Sequence, residues 1–165
     1  IGHGATTAKD MESDEEVWRT ILDLTQEIGY KLKKNHLAAR GIQINVRDKN
    51  LFSCQYQMKL EYMTQSTLFL AQAAKLLFFK KHRFTTPLRS ITVRAIDLVP
   101  EDTPQQLNLF AGYDKQDDIV RLESAVDRLR ERFGNKIVVP ASLMEKSCRP
   151  TLSTDFPKMP APMYH

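Results

Sequence analysis

Val17, Ile21, Leu24, Ile28 and Leu32 recur at steps of four, three, four and four, which places them on one side of a helix. Ser13 stands just before them, with Glu16 three residues later. That is a capping box, and the acids at 14–16 suit the positive end of the helix dipole. Lys31, Lys33 and Lys34 occupy the opposite end. The period then shortens to two. Ile42, Ile44 and Val46 alternate with Gln43, Asn45 and Arg47, and Phe52, Cys54, Tyr56 and Met58 alternate with Ser53, Gln55, Gln57 and Lys59. These are two half-buried strands, and Asp48-Lys49-Asn50 between them reads as a hairpin turn. Thr64 or Ser66 can cap a second helix, whose stripe is Leu70, Ala73, Ala74 and Leu77. After Pro87 a last strand turns Ile91, Val93 and Ala95 inward and Thr92 and Arg94 outward. With residues 2–7 as a first strand, the order is β-α-β-β-α-β. The predicted fold is α+β: a split βαβ, ferredoxin-like arrangement with a four-stranded antiparallel sheet and two helices on one face.

Beyond residue 98 the pattern loosens. Ile119, Leu122, Val126, Leu129 and Phe133 step three, four, three, four. Asp117 and Asp118 precede this helical run, Arg128, Arg130 and Arg132 crowd its end, and Gly134 follows. Such a helix can pack on the first unit, on a part of a larger protein outside these residues, or on a binding partner, core packing being the commoner fate. Four of the eight prolines fall within 149–165, which reads as an unstructured tail. The division is therefore a compact unit at 1–98, a linker at 99–116, a helix with its extension at 117–148, and the tail.

Charge sharpens this picture. Residues 31–94 hold thirteen Lys and Arg against only Asp48 and Glu61, a net +11 in a 165-residue chain whose overall charge is +4. Such segregation points to a polyanion such as nucleic acid. The topology leaves one sheet face open, and its parity assigns Gln43, Asn45, Arg47, Ser53, Gln55, Gln57, Lys59, Thr92 and Arg94 to that face. This surface is rich in donors and free of acids, which suits phosphate and sugar oxygens. An RNA-recognition module would instead need stacking aromatics there, whereas Phe52 and Tyr56 carry the buried parity. A purely structural or oligomerising domain is the third alternative. The two cysteines, Cys54 and Cys148, have no metal or redox spacing and fit a reducing compartment, the cytoplasm. No run is long enough to span a membrane. No phosphate-binding Gly-rich loop, paired metal-binding carboxylates or nucleophile–base set is evident, so neither a catalytic residue nor a cofactor is expected within this chain.

One stretch remains. Gln106-Leu107-Asn108-Leu109-Phe110 lies in the linker between Pro104 and Gly112, an apolar run with no helical or strand pattern. Taken in order, "IGHGATTAKD", "RGIQINVRD", "FSCQYQMKL", "PLRSITVRAIDLVPED", "QLNLF" and "RLRERFG" resemble the C-terminal region of bacterial Y-family translesion DNA polymerases. The resemblance covers residues 1 to about 145. It implies that 1–98 is the little-finger domain, which lays its sheet on primer–template DNA during damage bypass. It implies phosphate contacts at Thr6 and Thr7 of the first strand and at Arg89 and Arg94 of the last. The chain departs from the pattern at Tyr56, where many members carry Arg. The resemblance further implies that Gln106, Leu107, Leu109 and Phe110 dock on the bacterial sliding clamp. The catalytic palm, with its Mg2+, would lie outside these residues.

Overall fold

The computed structural model describes residues 1–83, 85–104, 114–134 and 137–144. In chain order the elements are β1 (Gly2–Met11), α1 (Asp14–Lys34), β2 (Leu37–Asp48), β3 (Ser53–Thr64), α2 (Thr67–Lys81), β4 (Leu88–Pro100) and α3 (Asp114–Phe133), followed by a 3-10 turn at Ala141–Leu143. All strand pairs are antiparallel, and the sheet order is β1-β4-β2-β3. Helices α1 and α2 cover one face. The core between them and the sheet holds the whole predicted α1 stripe, Leu70, Ala74 and Leu77 of α2, Ile42, Ile44 and Val46 of β2, and Ile91, Val93 and Ala95 of β4. Phe78 completes it. Among the described residues no helix is long and apolar enough to cross a membrane.

The α+β class and the β-α-β-β-α-β order are as expected from the sequence. The lateral order differs from a ferredoxin-like sheet, which centres the first strand of each βαβ unit. Here the second strands, β2 and β4, are central. Burial explains the choice. The inward residues of β2 and β4 are almost completely buried, whereas Cys54, Tyr56 and Met58 of β3 are only partly covered. Strands with the most apolar inner rows gain most from the middle of the sheet.

The predicted capping box is present: Ser13 Oγ accepts from Glu16 N–H at 3.3 Å, and the Glu16 carboxylate accepts from Ser13 N–H at 3.2 Å. Ser66, rather than Thr64, is the N-cap of α2. Replacing Ser13 with alanine should cost about 1 kcal/mol, read from the denaturant midpoint.

Two carboxylates are held below the ordinary range. Glu16 is held below the usual range chiefly by the Glu12 backbone N–H at 2.8 Å, aided by Ser13 and opposed by partial burial. Glu101 is lowered by the Gln65 side-chain amide and then by His36, each at 2.7 Å. A depressed folded pKa contributes stability that is complete above the ordinary value, about 4.3, and is lost as pH falls through the lowered value. Melting temperature should therefore drop more steeply below about pH 4.3 in the parent chain than in a Glu16→Gln, Glu101→Gln variant.

Candidate nucleic-acid interface

The register of the open face assembles the predicted residues into rows. Gly2, Arg94, Gln43 and Gln57 lie side by side across the four strands, then Gly4, Thr92, Asn45 and Gln55, then Thr6, Ser90, Arg47 and Ser53. Lys59 begins a fourth row, opposite Gly41. Strands about 4.8 Å apart make each full row about 14 Å wide. Along the first row Arg94 Nη1 donates to Gln43 Oε1 at 3.3 Å, and Gln43 Nε2 donates to Gln57 Oε1 at 3.4 Å. These bonds hold the guanidinium and amide planes in place, and other N–H groups remain available to an outside acceptor. The three full rows contain no carboxylate and no aromatic ring.

β1 supplies an edge of low relief. A Cβ on Gly2 would lie 2.6 Å from Cγ of Arg94, and one on Gly4 would collide with the Thr92 hydroxyl. The glycines let these side chains lie over β1 and leave its backbone close to the surface. Thr6 is exposed on this face. Thr7 has the opposite parity, and its hydroxyl donates to the Arg89 carbonyl at 3.1 Å. Arg89 is the extra residue of a bulge: Ser90 pairs with Arg47 and Leu88 with Asp48, leaving Arg89 without a partner on β2. Its guanidinium lies 3.8 Å from Asp10. Thr7 and Arg89 thus stand apart from the rows that hold the other predicted contacts.

Two features differ from the expected face. Its far end carries an acid, because an Asp97 carboxylate oxygen lies 3.2 Å from where a Gly41 Cβ would be. At the near end, Phe52 is not inside. It precedes β3, in the hairpin turn, and is 69% exposed beside Leu51 at 56%. The turn is nonetheless fixed. Asp48 N–H donates to the Phe52 carbonyl at 3.0 Å, Asp48 Oδ1 accepts from Phe52 N–H at 2.9 Å, and Leu51 N–H reaches the Asp48 carbonyl at 3.0 Å. Leu51 has φ 69°, a left-handed conformation that costs a branched residue about 1–2 kcal/mol. Tyr56 keeps its inward parity. Burial, followed by the Cys54 contact, raises its pKa, and burial lowers that of its neighbour His82 despite Asp48. Among the described residues no group of three or more His, Cys, Asp or Glu could hold a metal ion.

The family model described as the impB/mucB/samB family C-terminal domain matches residues 1–109. The chain belongs to this family. It is similar to DNA polymerase IV of Acetivibrio thermocellus, at 34% identity over 81% of this chain and 34% of that protein. It is also similar to DNA polymerase IV 2 of Halalkalibacterium halodurans, at 29% identity over 84% and 33%. The chain thus spans about a third of the length of these polymerases. A solved complex of a beta-clamp processivity factor and the little finger domain of PolIV matches with a TM-score of 0.48 and 18% identity, over 67% of this chain and 98% of that one.

The impB/mucB/samB match ends before α3, whose apolar stripe stays largely outside the core. Leu122, Leu129 and Phe133 are exposed, Leu122 by 65%. The helix attaches instead through its acidic flank. Glu123 accepts from the Ser66 hydroxyl at 2.8 Å and from the backbone N–H groups of Thr67 and Leu68 at 3.2 and 3.0 Å. Lys33 of α1 bonds Glu123 at 3.1 Å and Asp127 at 2.7 Å. One carboxylate therefore caps the start of α2, where the helix dipole favours an anion, and pairs with Lys33 at the end of α1. Sequence reasoning missed this latch. The only signal was a pair of acids four apart, off the stripe, and nothing links them to a lysine some ninety residues earlier. Gly134, at φ 95° with its N–H on the Arg130 carbonyl, ends α3 as expected. Gln106, Leu107, Leu109 and Phe110 lie outside the described residues, as does the 149–165 tail.

Proposed function

We propose that this domain holds primer–template DNA for a translesion DNA polymerase, gripping the backbone with its open sheet face and tethering the enzyme to the sliding clamp through Gln106–Phe110. The observation that carries the reading is the set of three contiguous rows of donors without a carboxylate, on a face left uncovered by helices. Phosphate oxygens need donors and positive charge and no particular base, so the grip is sequence-independent, as a polymerase requires. Membership of the impB/mucB/samB family and similarity to DNA polymerase IV proteins support the same reading. Nucleotidyl transfer, with its Mg2+ and paired carboxylates, belongs in this proposal to the part of such polymerases that this chain does not span. The setting is the reducing cytoplasm. The open rows lack the aromatics a stand-alone RNA module would use.

The test is fluorescence anisotropy with labelled primer–template across a salt series. Each phosphate contact should contribute about −0.9 to the slope of log affinity against log salt, with little sequence preference. A flat salt response, or a clear preference for single-stranded RNA, would contradict the proposal. Primer extension should be absent with the purified chain.

A further inference from the structure

We infer that the β2–β3 hairpin tip is a stacking site for an unpaired nucleobase, with the Phe52 ring as its platform. This rests on the proposed DNA reading and narrows it to DNA with a single-stranded portion next to the duplex. Phe52 and Leu51 put two large apolar side chains into solvent at one turn, with no role in the core. The turn that displays them is rigid: besides its internal bonds, Lys49 N–H donates to the Pro87 carbonyl at 3.0 Å, and the Thr86 hydroxyl reaches Asp48 Oδ2 at 3.4 Å. A left-handed leucine stands where glycine or asparagine would relieve the strain.

The surroundings select the ligand. Arg47 Nε donates to the Leu51 carbonyl at 3.2 Å, so a guanidinium sits against the tip, and exposed Lys49 lies beside it. Arg47 also belongs to the third donor row of the open face. A strand whose phosphates follow that row would bring its bases past Phe52. A nucleobase offers a flat apolar face attached to an anion, which matches an exposed aromatic ring on a hairpin that also carries Arg47 and Lys49. In a duplex that base face is already stacked, so the tip acts only where the duplex ends.

The experiment compares a blunt duplex with the same duplex carrying a single-stranded overhang of either polarity, by anisotropy with the full 165-residue chain. The parent should favour one overhang substrate. Phe52→Leu, which keeps an apolar side chain and removes the ring, should weaken that substrate about tenfold, on the scale of one stacked base, and leave blunt-duplex binding unchanged. Phe52→Trp should restore affinity, and its added emission should be quenched by the overhang beyond any change at Trp18. Equal losses on both substrates, or no loss on the overhang, would overturn the stacking site. Salt-dependent blunt-duplex binding separates the two levels. If it is present while Phe52→Leu has no effect on the overhang, stacking alone fails. If binding is absent altogether, the DNA reading fails with it.

Discussion

Replacing Leu109 and Phe110 together with alanine should abolish binding to a bacterial sliding clamp and leave the melting temperature unchanged. A Leu or Phe side chain removed from water contributes about 1.5–3 kcal/mol, so two or three anchors can support micromolar affinity after the cost of ordering an extended segment. Gln106 adds an amide that both donates and accepts at a pocket rim. Among the described residues, the core between the sheet and its two helices is built from β1, α1, β2, α2 and β4. Titrating the purified chain, its double variant and a peptide of residues 103–112 against clamp checks the expectation. Unaltered affinity in the variant, or its unfolding, would show that the two residues are packing elements.

The second large effect is expected at the latch. Glu123→Ala removes a carboxylate that takes three donors from the start of α2 and one from Lys33. The Lys33 and Glu123 side chains are 19% and 15% exposed, so solvent replaces the missing carboxylate only in part. The loss should be roughly 2 kcal/mol, below the ~3–5 of a fully buried pair. Because the α3 stripe buries little, that loss should release the helix: amide exchange across 118–133 should rise toward that of a free helix while β2 and β4 stay protected. Lys33→Ala leaves Glu123 capping α2 and should release α3 less. Unchanged α3 protection in Glu123→Ala would show that other interactions hold the helix.

Sequence periodicity gave access to the elements whose burial is continuous. The α1 stripe, the inner rows of β2 and β4 and the Ser13 box were all legible because a local pattern meets a large core. Lateral strand order was not, since alternation states which face is buried and not which strand lies alongside. Phe52 was misplaced by extending a period of two one residue past the start of β3, into a turn where parity no longer applies. The α3 stripe was legible as a helix but its attachment was not, because two flanking carboxylates, rather than the apolar face, join it to α1 and α2. On the open face, parity grouped most of the site residues; the bulge between β2 and β4 that sets Arg89 aside interrupts the alternation, and no local pattern announces it.

Whether the open face is the DNA surface is tested most directly by two charge-matched triple variants. Arg47, Lys59 and Arg94 stand on the open face, and Lys34, Lys80 and Lys81 stand on α1 and α2 on the other side of the sheet. Both triple alanine replacements remove three positive charges, so a response to net charge alone would be equal. On primer–template DNA, the open-face triple should flatten the salt slope by about 0.9 for each phosphate it no longer neutralises, and the helix-face triple should leave it close to the parent value. Equal flattening by the two variants, or flattening confined to the helix-face triple, would contradict the open sheet face as the surface that grips DNA.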